Sequence, residues 1–181
     1  MSSKAEKLIR LIYDNFIDYF KSGDIIIAGS YFYDKIGVPI EKTFKDIDLI
    51  VDFSKDHILY ELMDFFKNHK DYDVNEQASF IKSFDGIHLL SCIVFNNDHP
   101  PIDVLRQDFS TNLSSFEILP GVFTDYQTSE KLVEVYEGFL KGFKNSGKQK
   151  TIEKFEALRN FYKSNSTKEL VETLSYHINK I

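Results

Sequence analysis

Three aspartates in this chain have the spacing that divalent-metal chemistry uses. Asp46 and Asp48 lie two positions apart in an apolar run, and Asp103 stands between Ile102 and Val104. Residues two apart on a strand project to the same face, so Asp46 and Asp48 should point the same way. Like charges beside core-facing aliphatic residues are costly unless a cation compensates them. Mg²⁺ suits this role because it binds one or two carboxylates together with substrate phosphates.

Together the three carboxylates predict phosphoryl transfer assisted by two Mg²⁺ ions, for which Mn²⁺ can substitute. Asp46 and Asp48 would hold the metal of a nucleoside triphosphate. Asp103 would help to bind a second ion, which lowers the pKa of the attacking hydroxyl and stabilises developing charge. The alternative interpretation of Asp-x-Asp is a solvated face of an edge strand. The order of strand, Gly-Ser, helix, Asp-x-Asp strand and Asp103 strand favours the metal site.

A glycine–serine pair follows the short β-branched run of residues 25–28. Gly29 permits close approach of the backbone to a phosphate, and Ser30 can donate its hydroxyl and its amide at the start of a helix. We therefore predict that both residues bind the nucleotide. The aromatic side chains of residues 31–33 would either stack on a base or pack the short helix against the sheet.

Triphosphate binding also requires cations, and three candidates follow the aspartates along the chain. Arg106 lies three residues after Asp103, and Lys150 and Lys154 lie on a predicted helix beyond the sheet. We predict that all three contribute to nucleotide binding. The alternative for each lysine is an ordinary solvated helix face.

The elements that must position these residues can be read from periodicity and turn signals. Apolar residues at helical spacing predict helices over 4–21, 31–36, 55–69 with Ser54 as N-cap, 129–143, 148–163 and 167–180. Apolar and β-branched runs predict strands over 25–28, 44–53, 78–83, 87–95 and 102–105, with a hairpin turn at Asp85-Gly86. Residues 106–128 give no clear pattern. The expected fold class is α+β, a mixed sheet with flanking helices and a helical C-terminal third.

Composition limits the function classes. The 181 residues suit a catalytic domain over 1–128 with a helical region over 129–181 packed on it. A net charge of −6 argues against an extended DNA-binding face. The single cysteine, Cys92, excludes an intramolecular disulfide framework and sits in an apolar run typical of a buried thiol. The N-terminal segment predicts an amphipathic helix, and no apolar stretch is long enough to span a membrane, so we expect a cytoplasmic protein without a membrane partner.

The residues around the aspartates resemble the polymerase-β-type nucleotidyltransferase superfamily. The signature of that superfamily is an apolar strand, Gly-Gly or Gly-Ser, a spacer, and Asp-x-Asp or Asp-x-Glu. Here it reads Ile26-Ile27-Ala28-Gly29-Ser30 and then Asp46-Ile47-Asp48. The opening from Gly29 to Asp34 is also similar to the Gly-Gly-x-x-Arg-Asp start of the CCA-adding branch and of small phage-encoded relatives, with Tyr33 in the arginine position.

This resemblance implies a nucleotidyltransferase-like sheet and an Mg²⁺-dependent reaction. A nucleoside monophosphate would pass from an NTP to a hydroxyl acceptor, which is a small molecule, an RNA end or a protein, and pyrophosphate would leave. The replacement of arginine by Tyr33 and the spacer over 31–45 keep a second hypothesis open. In that hypothesis the chain is a non-catalytic nucleotide-binding or regulatory module, for example an antitoxin-like protein on the same fold.

Overall fold

The computed structural model describes residues 3–39, 45–83, 89–108 and 115–178. Within them the strands are β1 (Ile25–Ala28), β2 (Ile47–Asp52), β3 (Phe80–Ser83), β4 (Leu89–Ile93), β5 (Ile102–Gln107), β6 (Phe116–Leu119) and β7 (Val122–Thr124). The helices are α1 (Lys4–Asn15), α2 (Ile17–Ser22), α3 (Gly29–Lys35), α4 (His57–Asn68), α5 (Ser129–Phe143), α6 (Gln149–Ser164) and α7 (Thr167–Ile178). The α+β fold class is confirmed.

A mixed five-stranded sheet holds Asp48, Asp103 and Arg106, with its strands in the order β1-β2-β5-β4-β3. Neighbouring strands are antiparallel except for β2 and β5, which are parallel. Parallel neighbours require a long crossover connection, and here residues 53–101 provide it. The central strand β5 is also the last strand of this sheet along the chain.

One face of the sheet is buried in the core. Ile47, Val51, Ile102 and Val104 are inaccessible to solvent on this face. Helices α1 and α4 are amphipathic and contribute further buried side chains to the core. These are Leu8, Ile9 and Ile12 of α1 and Ile58, Leu59, Leu62 and Phe66 of α4. The opposite face is partly open, because Asp48, Asp103 and Cys92 are only half-buried.

A two-stranded hairpin, β6–β7, occupies part of the region that gave no clear pattern. Its turn contains Gly121, whose φ of 75° suits a glycine. The hairpin reaches the outer edge of β1, where the Ile27 amide donates to the buried Thr124 Oγ1 at 2.8 Å. The hairpin therefore protects an edge strand whose amide would otherwise lack a partner from the sheet.

Several helix boundaries differ from the sequence-based expectation. The helix predicted over 4–21 is interrupted at Phe16, between α1 and α2. Ser54 was wrong as the N-cap of α4, because that position is held by Asp56. The Ser54 amide and hydroxyl instead donate to Asp52 Oδ1 at 2.9 and 2.6 Å. This local turn at the end of β2 competes with helix capping for the same serine.

The remaining predicted elements agree in type with the structure. The antiparallel pair β3–β4 matches the predicted hairpin, although its turn at Asp85-Gly86 lies outside the described residues. Phe44, the expected start of the second strand, also lies outside them, and β2 begins at Ile47. Asp46 therefore precedes the strand.

The chain divides into two compact units. The first comprises Met1–Lys35 and Pro39–Tyr126, and the second comprises Ile36–Val38 and Gln127–Ile181. In the second unit, Ser129 Oγ accepts from the Thr167 amide at 2.6 Å and donates to the Asn165 carbonyl at 2.7 Å. These bonds join the start of α5 to the start of α7. None of the helices among the described residues has the length and apolar character to cross a membrane.

Candidate metal-binding site

Asp48 and Asp103 are direct neighbours in one row across the sheet. The register pairs Ala28 of β1 with Asp48 of β2, Asp48 with Asp103 of β5, and Asp103 with Cys92 of β4. Residues paired in register project to the same face, so the two carboxylates lie side by side on the half-open face. A small methyl group flanks them on one side and a thiol on the other.

Asp46 joins this pair from the segment that leads into β2. The Ile47 amide donates to the Pro101 carbonyl at 2.9 Å, which fixes the start of β2 beside β5. Oxygen atoms of Asp46, Asp48 and Asp103 all lie within 4.8 Å of one another. We call these three residues the acid cluster. The structure thus brings together the three aspartates that the sequence singled out.

The geometry of the acid cluster fits a small hard cation. Two oxygens on opposite sides of Mg²⁺ are about 4.2 Å apart, twice the Mg–O distance. Small side-chain rotations would bring the three carboxylates within that range. All three residues are half-buried, so they keep access to solvent and to a substrate. Carboxylate oxygens are also the ligands that Mg²⁺ and Mn²⁺ prefer.

Burial and repulsion act together on Asp103. Burial raises the pKa of its carboxyl above the ordinary value, the hydrogen bond from Cys92 lowers it, and the Asp46 charge raises it further. Burial also raises the pKa of the Cys92 thiol to about 12, and the hydrogen bond to Asp103 adds to that effect. Cys92 is therefore a protonated donor to Asp103. A divalent cation would relieve the repulsion between the carboxylates.

Gly29 lies directly beneath the Asp48 side chain. Its φ is +64°, and a Cβ added to it would overlap the Asp48 carboxylate. Glycine is therefore required here both by backbone conformation and by space. The Asp48 carboxylate occupies the space that any other side chain at position 29 would fill. This contact explains why a glycine follows β1 at the point where Asp48 of β2 lies beside it.

The residues after Gly29 belong to the core of the first unit. Ser30 is 8% exposed, and Tyr31, Phe32 and Tyr33 are at most 6% exposed. This burial favours packing over base stacking for the three aromatic side chains. Burial raises the pKa of Tyr33, and the charge of Asp48 raises it further. Tyr33 is thus a neutral neighbour of the acid cluster at the position where the resembled branch has arginine.

Arg106 is not brought to the acid cluster. It pairs in register with Val51, so it lies on the opposite face of the sheet from Asp103. Its Nη1 donates to the two Asp56 carboxylate oxygens at 2.7 and 2.8 Å, and its guanidinium lies 4.0 Å from the centre of the Phe53 ring. Only 13% of this side chain is exposed. Arg106 therefore holds the end of β5 to the start of α4.

Lys150 and Lys154 both lie on α6 and are exposed. They belong to the second unit, whereas the acid cluster belongs to the first. Their predicted role in nucleotide binding stays a prediction.

Lys82 is a cation near the acid cluster that the sequence analysis missed. It shares a face of β3 with Phe80, which pairs in register with Cys92. The positive charge of Lys82 lowers the Cys92 pKa, so it reaches this part of the sheet. Alternation in β3 could have identified it, but only once the register with β4 was known.

Comparison with known proteins gives no further assignment: no protein-family model matches this sequence, and no curated protein matches it.

Proposed function

We propose that this protein is an Mg²⁺-dependent nucleotidyltransferase that transfers a nucleoside monophosphate from an NTP to a hydroxyl acceptor. The observation that carries the proposal is the convergence of Asp46, Asp48 and Asp103, whose oxygen atoms lie within 4.8 Å of one another. Asp48 and Asp103 lie on two parallel strands that are distant in the sequence, and Asp46 directly precedes the first of them. Phosphoryl transfer requires charge compensation and positioning more than covalent participation by the protein.

Each residue of the proposed site, all of them in the first unit, would have a distinct role in this reaction. Asp46 and Asp48 would hold the cation that accompanies the triphosphate, and Asp103 would hold the cation beside the acceptor hydroxyl. Bound Mg²⁺ supplies charge neutralisation and a lowered pKa for the hydroxyl. Gly29 leaves space for the Asp48 carboxylate. Lys82 offers a positive charge on the same face for the departing pyrophosphate.

The proposal is tested by replacing single carboxylates with the isosteric amide. We expect Asp46→Asn and Asp48→Asn to lower NTP turnover by a factor of about 10³ or more, because charge stabilisation in the site is lost. Both variants should stay folded, since removing one charge relieves repulsion in the metal-free protein. The measurement is pyrophosphate release from each of the four NTPs with Mg²⁺ or Mn²⁺, accompanied by thermal unfolding.

Asp14→Asn is the matched control, because Asp14 is an exposed aspartate of α1 and its replacement removes the same charge. It should turn over NTP like the wild type. Full activity in Asp46→Asn or Asp48→Asn would contradict the proposal.

A second function, nucleotide binding without transfer, is favoured by two observations. Tyr33 stands where the resembled branch has arginine, and Arg106 is engaged with Asp56 on the other face. This hypothesis predicts NTP binding that calorimetry detects equally with and without Mg²⁺, and no release of pyrophosphate. Metal-dependent binding with pyrophosphate release would instead support the transferase.

A further inference from the structure

The end of the α5–α6 helical hairpin carries a concentration of positive charge. Residues 141–154 contain Lys141, Lys144, Lys148, Lys150 and Lys154, and we call this segment the basic tip. The segment contains five lysines and one glutamate, so its net charge is +4, whereas the net charge of the whole chain is −6. All five lysines are exposed. The one acid, Glu153, accepts a hydrogen bond from Gln149 at 3.0 Å.

Helix stability does not explain the lysines at the start of α6. Lys141 near the end of α5 suits the negative end of that helix dipole. At the start of α6 the same charge is unfavourable, because the N-terminal end of a helix is already positive. Lys148 occupies the N-cap position without a side-chain cap, and the first turn of α6 contains no acidic residue. This arrangement costs stability unless an anion approaches the tip.

Aromatic rings lie among the lysines of the basic tip. Phe155 of α6 contacts Phe139 and Phe143 of α5, with ring centroids 5.1 and 5.7 Å apart. The Lys148 Nζ lies 5.5 Å from the centre of the Phe143 ring. All three phenylalanines are half-buried, so part of each side chain remains accessible. Lysines that surround accessible ring surface are typical of sites that bind single-stranded nucleic acid.

We propose that the basic tip binds single-stranded nucleic acid, with the lysines on phosphates and the phenylalanines against unpaired bases. Duplexes fit less well, because their base faces are stacked inside the helix. An anionic membrane fits less well too, because insertion requires fully exposed apolar side chains, whereas a base needs only the accessible part of a half-buried ring. The large hydrophobic side chains exposed among the described residues are Phe53, Tyr60 and Phe123, all in the first unit. A local tip is compatible with the absence of an extended DNA-binding face.

If the proposed transfer reaction is also correct, binding of a strand by the basic tip would favour a nucleic-acid acceptor, which rests on the proposed function. Binding itself does not. The Asp48→Asn variant should bind oligonucleotides as tightly as the wild type does. Loss of turnover with retained binding would therefore separate the two proposals.

The test uses the full chain and fluorescence anisotropy with labelled 12-nucleotide oligo(U) and oligo(dT). We expect the Lys148→Gln, Lys150→Gln, Lys154→Gln variant to bind about tenfold or more weakly at low salt. Its plot of log affinity against log salt concentration should be less steep by about 2, since each phosphate contact on a single strand contributes about 0.7. The thermal stability of this variant should not fall, because two of the three lysines oppose the α6 dipole.

The matched control is Lys131→Gln, Lys163→Gln, Lys168→Gln. It removes three lysines from the same unit, and each of these pairs with a glutamate outside the basic tip. The control should bind like the wild type. Equal weakening by both variants, equal affinity for a duplex of the same length, binding only to vesicles containing phosphatidylserine, or no binding at 50 mM salt would each overturn the proposal.

Discussion

At the scale of single residues, the contact between Gly29 and Asp48 is the most demanding feature of the acid cluster. A Cβ at position 29 would overlap the Asp48 carboxylate and would sit on a backbone with φ of +64°. We expect Gly29→Ala to lower the free energy of unfolding by about 3 kcal/mol, the sum of left-handed strain and overpacking. Urea denaturation measures this loss, and metal binding should weaken because Asp48 is displaced.

Gly121→Ala is the control for backbone strain alone. Gly121 also has a positive φ, of 75°, but an added Cβ would meet no atom within 4 Å. Its replacement should cost about 1–2 kcal/mol. If both substitutions cost the same, the overlap with Asp48 does not contribute and the assigned role of Gly29 is wrong.

Much of the acid cluster could be predicted from the sequence, because side chains alternate between the two faces along a strand. Alternation predicted a common face for Asp46 and Asp48, and the apolar residues around Asp103 predicted a further strand. The register that pairs Asp48 with Asp103 depends on how β2 and β5 associate, which the sequence does not state. The same alternation shows why the prediction for Arg106 failed. Arg106 lies an odd number of residues from Asp103 on one strand, so alternation alone places it on the opposite face. Its bond to Asp56 could not be read from the sequence, since it depends on where α4 begins.

At the scale of elements, a buried hydrogen bond from one side chain joins the β6–β7 hairpin to β1. Thr124 Oγ1 accepts from the Ile27 amide, and Thr124 is 1% exposed. We expect Thr124→Val to lower the free energy of unfolding by about 1–3 kcal/mol, because the amide keeps its burial and loses its acceptor. Urea denaturation with an unchanged m-value is the measurement.

Thr124→Ser provides the comparison for this prediction, since it keeps the oxygen and removes only a methyl group. It should cost less than about 1 kcal/mol. A larger loss in Thr124→Ser than in Thr124→Val would show that packing, and not the hydrogen bond, joins the hairpin to β1.

The long periodic elements were predictable, as was the short β-branched strand β1, whereas β6 and β7 were not. Helix α5 has the bounds that its apolar periodicity predicted, because fifteen residues give several turns of consistent pattern. Strands β6 and β7 contain only four and three residues, too few for alternation to be distinguished from a loop. The break at Phe16 was also hidden, since residues on both sides keep one helical face. Its aromatic contact with Phe65 is tertiary.

At the scale of the whole molecule, a half-buried histidine with a buried ring nitrogen makes stability depend on pH. The His99 ring lies 4.7 Å from the Tyr72 ring centre and 5.8 Å from that of Phe95. Its Nδ1 is buried without a hydrogen-bond partner among the residues that the structure describes. Burial lowers the His99 pKa from its ordinary value of 6.5, Lys4 lowers it further, and Asp98 opposes this effect.

The sign of the pH dependence follows from this lowered pKa. Below pH 6.5 the unfolded chain binds a proton at His99 more readily than the folded chain does. The contribution of His99 to stability is therefore complete above pH 6.5 and is lost as the pH falls through the folded-state pKa. Urea denaturation between pH 7.5 and about 5 should show this loss in the wild type and less of it in His99→Phe. An identical pH profile in both proteins would contradict the prediction.

The position of β5 also determines when the acid cluster can exist. Without residues 102–107, the strand order leaves β1–β2 and β3–β4 as two antiparallel pairs that no strand connects. Two-stranded pairs alone are at best marginally stable in water. The last strand joins both pairs and brings Asp103 beside Asp48 in one event. We therefore expect the nascent chain to acquire its metal affinity abruptly, together with the closure of the sheet, and truncated chains that end before β5 to have none.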